Sequence, residues 1–153
     1  MRPHYAAAAI VILMAVAVCA QSDDQLIGTW KMDASRSKFA SSSDAPVLAL
    51  IKYERVGELL RETLSVTNAA GVNTRKIDYA IDGSELVNGS GDERVTAKIV
   101  KQDGSIVLQW IDEGGVFTRS IKISADGRTM TIAAHDSNPD LKRTDDVIVF
   151  QRQ

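Results

Sequence analysis

From Val47 to the C-terminus, apolar and polar residues alternate with a period of two. The runs are short and are interrupted at Val56-Gly57, Ala70-Gly71, Asp82-Gly83, Gly89-Ser90-Gly91, Asp103-Gly104, Gly114-Gly115 and Asp126-Gly127. Period two is the repeat of a strand with one buried face. Asp-Gly or Gly-Gly between two such runs signals a hairpin, because the favoured turn needs positive φ at its centre. The pattern predicts nine or ten strands, at 26–32, 47–55, 58–67, 72–81, a short 85–88, 92–102, 105–112, 116–124, 128–135 and 145–152. Helical periodicity is missing, and Pro46 and Pro139 fall between strands rather than inside them. Even meander spacing predicts an all-β fold, a single antiparallel up-and-down barrel rather than a sandwich.

Two-residue loops at 103–104, 114–115 and 126–127 also fix which residues oppose each other. They place Ile99, Leu108, Ile121 and Ile132 in one cross-strand row, and Lys101, Ile106, Ile123 and Met130 in the next. Beyond these come Ala97, Trp110, Arg119 and Ala134, then Val95, Asp112, Phe117 and Asp136. Thr96, Lys98, Gln109, Thr118, Ser120, Lys122, Thr129 and Thr131 share the opposite, solvent face. Leu60, Glu62, Leu64 and Val66 form an inward set on an earlier strand, and Arg75, Ile77, Tyr79 and Ile81 another.

The first and last strands are expected to close the barrel. Gly28-Thr29-Trp30-Lys31 lets the backbone come close while the indole plugs the interior, and Arg152 can lie over that ring for about 0.5–2 kcal/mol of cation–π attraction. Asp33–Pro46, rich in Ser and Ala and without alternation, is expected to form a surface lid or crossing loop with one turn capped by Asp33.

Residues 1–20 have the form of an export signal: Arg2 as a basic start, the apolar run Ala6–Val18, and Val18-Cys19-Ala20 before Gln21. The expected domain is therefore 21–153, in the periplasm or secreted. One alternative is a transmembrane helix, which needs about 20 apolar residues. The other is a lipoprotein anchored through Cys19, against which stands the bulky Val18. Cleavage removes the chain's one cysteine, His4 and Arg2, making the net charge one unit more acidic than the full chain's −2. An exported domain without cysteine has no disulfide, thiolate metal site or cysteine nucleophile. A mildly acidic chain with scattered cations has no electrostatic footprint for nucleic acid. Nothing after residue 20 reads as a transmembrane segment.

Catalytic patterns are sparse. His135 has only Asp136 beside it as a further donor and reads as an exposed strand end. The acidic pairs Asp23-Asp24, Asp92-Glu93, Asp112-Glu113 and Asp145-Asp146 sit at strand ends, and no Gly-x-Ser-x-Gly elbow, phosphate loop or calcium loop occurs. Asn88-Gly89-Ser90 is a glycosylation sequon, meaningful in a eukaryotic secretory pathway. The reading is a non-enzyme without metal or cofactor. The informative anomaly is charge on the inward face: Arg119 between Phe117 and Ile121, Arg75 before Ile77 and Tyr79, and Glu62 among leucines. A buried unpaired charge costs several kcal/mol, so each needs a partner or water. Either Arg119 pairs with Asp136 or Arg75 with Glu62, or an arginine fork receives a ligand carboxylate in a wet cavity.

Gly28-Thr29-Trp30-Lys31-Met32, the irregular segment ending in Ser37-Lys38-Phe39, and the closing Val149-Phe150-Gln151-Arg152 together resemble the calycin superfamily, both lipocalin-like domains and fatty-acid-binding proteins. An exported bacterial lipocalin-like domain is the nearest description. The resemblance implies a barrel that encloses a small apolar or amphiphilic ligand. Departures are clear: the Arg-x-Tyr that many fatty-acid-binding proteins carry on the last strand is replaced by Ile148 and Phe150, and the helix–turn–helix lid is missing. Some calycin-like domains bind haem, with His135 the candidate axial ligand here. Their Gly-rich continuation after Gly-x-Trp is replaced by Lys31-Met32-Asp33.

The expected function is that of an exported, non-enzymatic binding protein for a mostly apolar, lipid-like ligand with an acidic head. Arg119 stacked on Trp110 receives the head, Arg75 and Tyr79 assist, and Phe117, Leu108, Ile121 and Phe150 line the apolar part. The alternative is a solid-core, envelope-associated or inhibitor-type interaction module without a ligand cavity.

Overall fold

Turn chemistry and alternation together set the strands. The computed structural model describes residues 22–41, 45–112, 115–137 and 145–153. The export segment expected at 1–20, with Cys19, lies outside them, as does Pro139. Ten antiparallel strands run β1 (Gly28–Met32), β2 (Leu48–Val56), β3 (Leu59–Asn68), β4 (Gly71–Ala80), β5 (Leu86–Asn88), β6 (Val95–Gln102), β7 (Ser105–Asp112), β8 (Gly115–Ile123), β9 (Thr129–Asp136) and β10 (Asp146–Arg152). They form one nearly closed barrel, in the order β4-β3-β2-β1-β10-β9-β8-β7-β6-β5. The only helices among the described residues are two single 3-10 turns, Asp23–Leu26 and Gly91–Glu93.

Closure between first and last strand is as the ends of the sequence suggest, with Trp30 opposite Arg152 and Met32 opposite Phe150. Of the three loops used to set register, two hold: Ile99 faces Leu108, and Ile121 faces Ile132. The third is off by two residues. Asp112 pairs with Gly115, so the connection is 113–114 and not 114–115, and Leu108 faces Arg119 while Trp110 faces Phe117. A two-residue slip leaves every side chain on its original face. The inward set therefore survives the correction.

The remaining seam lies between β4 and β5, the two ends of the sheet order. There the Asn88 side chain stands in for a strand: its amide oxygen accepts from the Asp78 N–H at 2.7 Å and its amide nitrogen donates to the Asp78 carbonyl at 2.9 Å. The sequon asparagine thus has its nitrogen engaged in the fold, which removes the physical basis for reading it as a glycan acceptor. The segment after β1 forms the expected turn. The Asp33 carboxylate accepts from the Ser35 N–H and hydroxyl, which holds its pKa below the usual range, and Lys38 then pairs with Val147.

The two ends of the barrel differ. At one end the 3-10 turn Asp23–Leu26 folds under the strands, Leu26 and Trp30 are fully buried, and the indole N–H donates to the Leu26 carbonyl at 2.8 Å. Arg152 clamps this plug, donating to the carbonyls of Gln25, Ile27 and Gly127 while its guanidinium carbon lies 4.2 Å from the Trp30 ring centre. Gly28 is required here. A Cβ at that position would come within 2.8 Å of Arg152 Nη1, and its φ of +135° disfavours other residues.

Asp23 is 4% exposed and pairs with Lys101 at 2.5 Å and Arg55 at 3.5 Å. Lys101, placed inward by the row pattern, is in fact exposed and reaches around to this carboxylate. Burial pushes the Asp23 pKa up, but the Lys101 hydrogen bond and both cations outweigh it, leaving it below the ordinary 3.8. A carboxylate with a lowered folded pKa stabilises fully above its unfolded value, and loses that contribution as pH falls through the folded one. Asp23→Asn is therefore expected to cost about 1 kcal/mol at pH near 7 and nothing near pH 2, measured by denaturant titration at both pH values.

Candidate functional site

The opposite end is the open one. Inward-facing residues of the plugged half, such as Leu60, Tyr79, Ile106, Ile121, Met130 and Phe150, are at most 2% exposed. Further along the same strands, inward-facing Leu64 and Val66 of β3, Val95 of β6 and Phe117 of β8 are only half buried, and Arg75 of β4 is exposed. Side chains that point inward yet remain accessible line a mouth.

Between the halves lies a polar layer. Glu62 on β3 and Arg119 on β8 are five strands apart in a ten-strand order, so they face each other across the barrel. Arg119 Nη2 donates to Glu62 Oε1 at 2.5 Å, with the two residues 4% and 1% exposed. The Tyr53 hydroxyl donates to the other carboxylate oxygen at 2.9 Å. Burial alone would lower the Arg119 pKa, but the facing Glu62 charge holds it above its ordinary value. Burial and the same carboxylate push the Tyr53 phenol well up, so it stays a neutral donor.

The expected partners, Arg119 with Asp136 or Arg75 with Glu62, are thus corrected to Arg119 with Glu62. The reason is geometric: Asp136 sits near the mouth beside Phe117, whereas Glu62 is in line across the barrel. Tyr53 was missed, although its signal is present. Gly57 turns the chain so that Val56 opposes Leu59, which sets Tyr53 directly opposite Glu62.

Trp110 gathers the rest. Phe117 stacks on it with ring centres 4.3 Å apart, and the guanidinium carbons of Arg119 and Arg75 lie 4.4 Å and 4.5 Å from its ring centre. Arg75 has no carboxylate partner among the described residues. Desolvation and the neighbouring Arg119 charge lower its pKa. Tyr79, on the same face of β4, is fully buried, and its phenol is pushed up mainly by burial and Glu62, with Arg119 opposing. Even so, the Tyr79 hydroxyl and Arg119 Nε are buried without a hydrogen-bond partner among the described residues. Leaving such groups unmet costs roughly 1–3 kcal/mol each.

The structure therefore brings together Arg119, Trp110, Arg75, Tyr79 and Phe117 at the foot of the open half. Leu108, Ile121 and Phe150 are packed in the fully buried core instead. His135 is exposed on the outer face, bonded to Asp145 at 2.8 Å, so it does not face the interior as an axial ligand would. Among the described residues no cluster of three metal-ligating side chains occurs, and no helix is long and apolar enough to cross a membrane.

This ten-stranded, nearly closed barrel with a tryptophan plug and terminal arginine has the calycin fold. A heat-soluble secretory protein of Ramazzottius varieornatus superposes with a TM-score of 0.64 at 11% identity, covering 84% of this chain and 96% of its own. A Schistosoma mansoni fatty-acid-binding protein in complex with arachidonic acid gives 0.58 at 11% identity, covering 87% and 99%. A fatty acid transporter, REP1-NXSQ, gives 0.58 at 14% identity, covering 85% and 97%. No family profile and no curated protein matches the sequence.

Proposed function

We propose that this protein is an exported, non-enzymatic carrier of a small amphiphilic acid, which it holds head-down in the open half of the barrel. The observation that carries the reading is Arg75, an inward-facing cation left without a carboxylate. The layer beneath holds two arginines and one glutamate, an excess of one positive charge, and offers two further unmet groups, the Tyr79 hydroxyl and Arg119 Nε. A carboxylate head placed there meets both charge and hydrogen-bonding demand, and Leu64, Val66, Val95 and Phe117 provide an apolar wall for the rest. The fatty-acid partners of the two structural neighbours agree with an acidic amphiphile. The role of head-group receptor thus moves from Arg119, which Glu62 already occupies, to Arg75.

Arg75→Gln is expected to weaken binding of decanoate by about 1.5–3 kcal/mol, the range of a charged hydrogen bond, in a fluorescent displacement assay. Its melting temperature should stay close to wild type, because the exchanged group is exposed and unpaired. Equal affinity in the two proteins would refute the assignment. Export is tested separately: the mature protein from its own host should begin at Gln21, and a lipid-modified Cys19 at the N-terminus would establish the anchored form instead.

The solid-core alternative draws on the complete burial of the plugged half. Wild-type protein that binds no acidic amphiphile would favour it.

A further inference from the structure

We infer that the Glu62–Arg119 bridge is a floor that halts the ligand, so that this barrel selects compact acids and gains nothing from long acyl chains; this rests on the head-down reading above. The bridge joins strands on opposite sides of the barrel, and Tyr53 and Tyr79 flank it from β2 and β4. Beneath it the interior is occupied by Trp30, Leu60, Met130 and Phe150, all essentially without exposure, and the plug Asp23–Leu26 seals the end. What remains above is the stretch of β3 from Thr63 to Asn68. At about 3.3 Å per residue along strands tilted by roughly 40°, that is a cup about 15 Å deep.

A head seated on Arg75 leaves only part of that depth for the apolar body. Once the cup is full, further methylenes project from the mouth into water. The arginine–glutamate layer also turns away an inverted ligand, since an apolar tail driven down would break a buried ion pair.

The experiment is a chain-length series of saturated acids, from hexanoate through decanoate to palmitate, titrated against the full mature protein. Each methylene buried should improve affinity by up to about fourfold. Affinity is expected to climb from hexanoate to about decanoate and then level off. A climb that continues to palmitate would overturn the floor while leaving the carrier reading intact. No binding by any member of the series would overturn both. A second readout uses Glu62→Ala with Arg119→Ala: if this double variant folds, its plateau should move to longer acids, and an unmoved plateau in a folded double variant would also overturn the floor.

Discussion

Arg119→Met is expected to destabilise the protein by about 3–5 kcal/mol, the cost of stranding one partner of a buried ion pair. The reasoning is one of burial. Glu62 is 1% exposed, and its two oxygens are met by Arg119 and by Tyr53. Methionine preserves the volume of the arginine stem but leaves a carboxylate inside the barrel with a single phenolic donor. Had Arg119 been held in place for a ligand head, its removal would preserve or raise stability. The double variant Arg119→Met with Glu62→Leu separates the charge effect from a packing defect. Replacing both partners by apolar groups of similar volume is often neutral or stabilising, so the double variant should recover most of the loss. Guanidinium titrations of the wild type and three variants measure this. A single Arg119→Met variant as stable as wild type would show that the pair is hydrated.

Trp30→Ala is expected to cost about 3–5 kcal/mol as well, by a different route. The indole is fully buried, fills the closed end, donates to the Leu26 carbonyl and takes the Arg152 guanidinium on its face. Alanine opens a cavity where β1, β10 and the plug meet, and leaves Arg152 and the Leu26 carbonyl without one partner each. Trp30→Phe keeps most of the area and loses the hydrogen bond, so it should cost markedly less. Equal losses for the two variants would show that the hydrogen bond, and not the packing, dominates.

Much of this was legible along the chain. Strand number and positions follow from period-two alternation and Gly-containing turns, and the plug from Gly28, Trp30 and Arg152. The face of each inward charge was also correct, because side-chain alternation survives a two-residue slip such as that between β7 and β8. What alternation cannot show is what meets across the interior. Glu62 and Arg119 are 57 positions apart and belong to strands that never pair, so their contact depends on closure of the whole barrel. The division into a filled half and an open half was equally hidden: Leu108, Ile121 and Phe150 have the same polarity as Leu64, Val66 and Phe117, and only their height in the barrel separates core from wall. Asn88 hid its role in the same way, since nothing local says that its amide faces Asp78 across the seam.

The position of bound decanoate, isotope-labelled and observed by NMR in complex with the mature protein, tests the head-down reading most directly. Contacts from the carboxyl end to Arg75 and the Tyr79 ring, with the terminal methyl against Leu64, Val66 and Val95, are the predicted result. A terminal methyl in contact with Trp30, Met130 or Phe150 would contradict it.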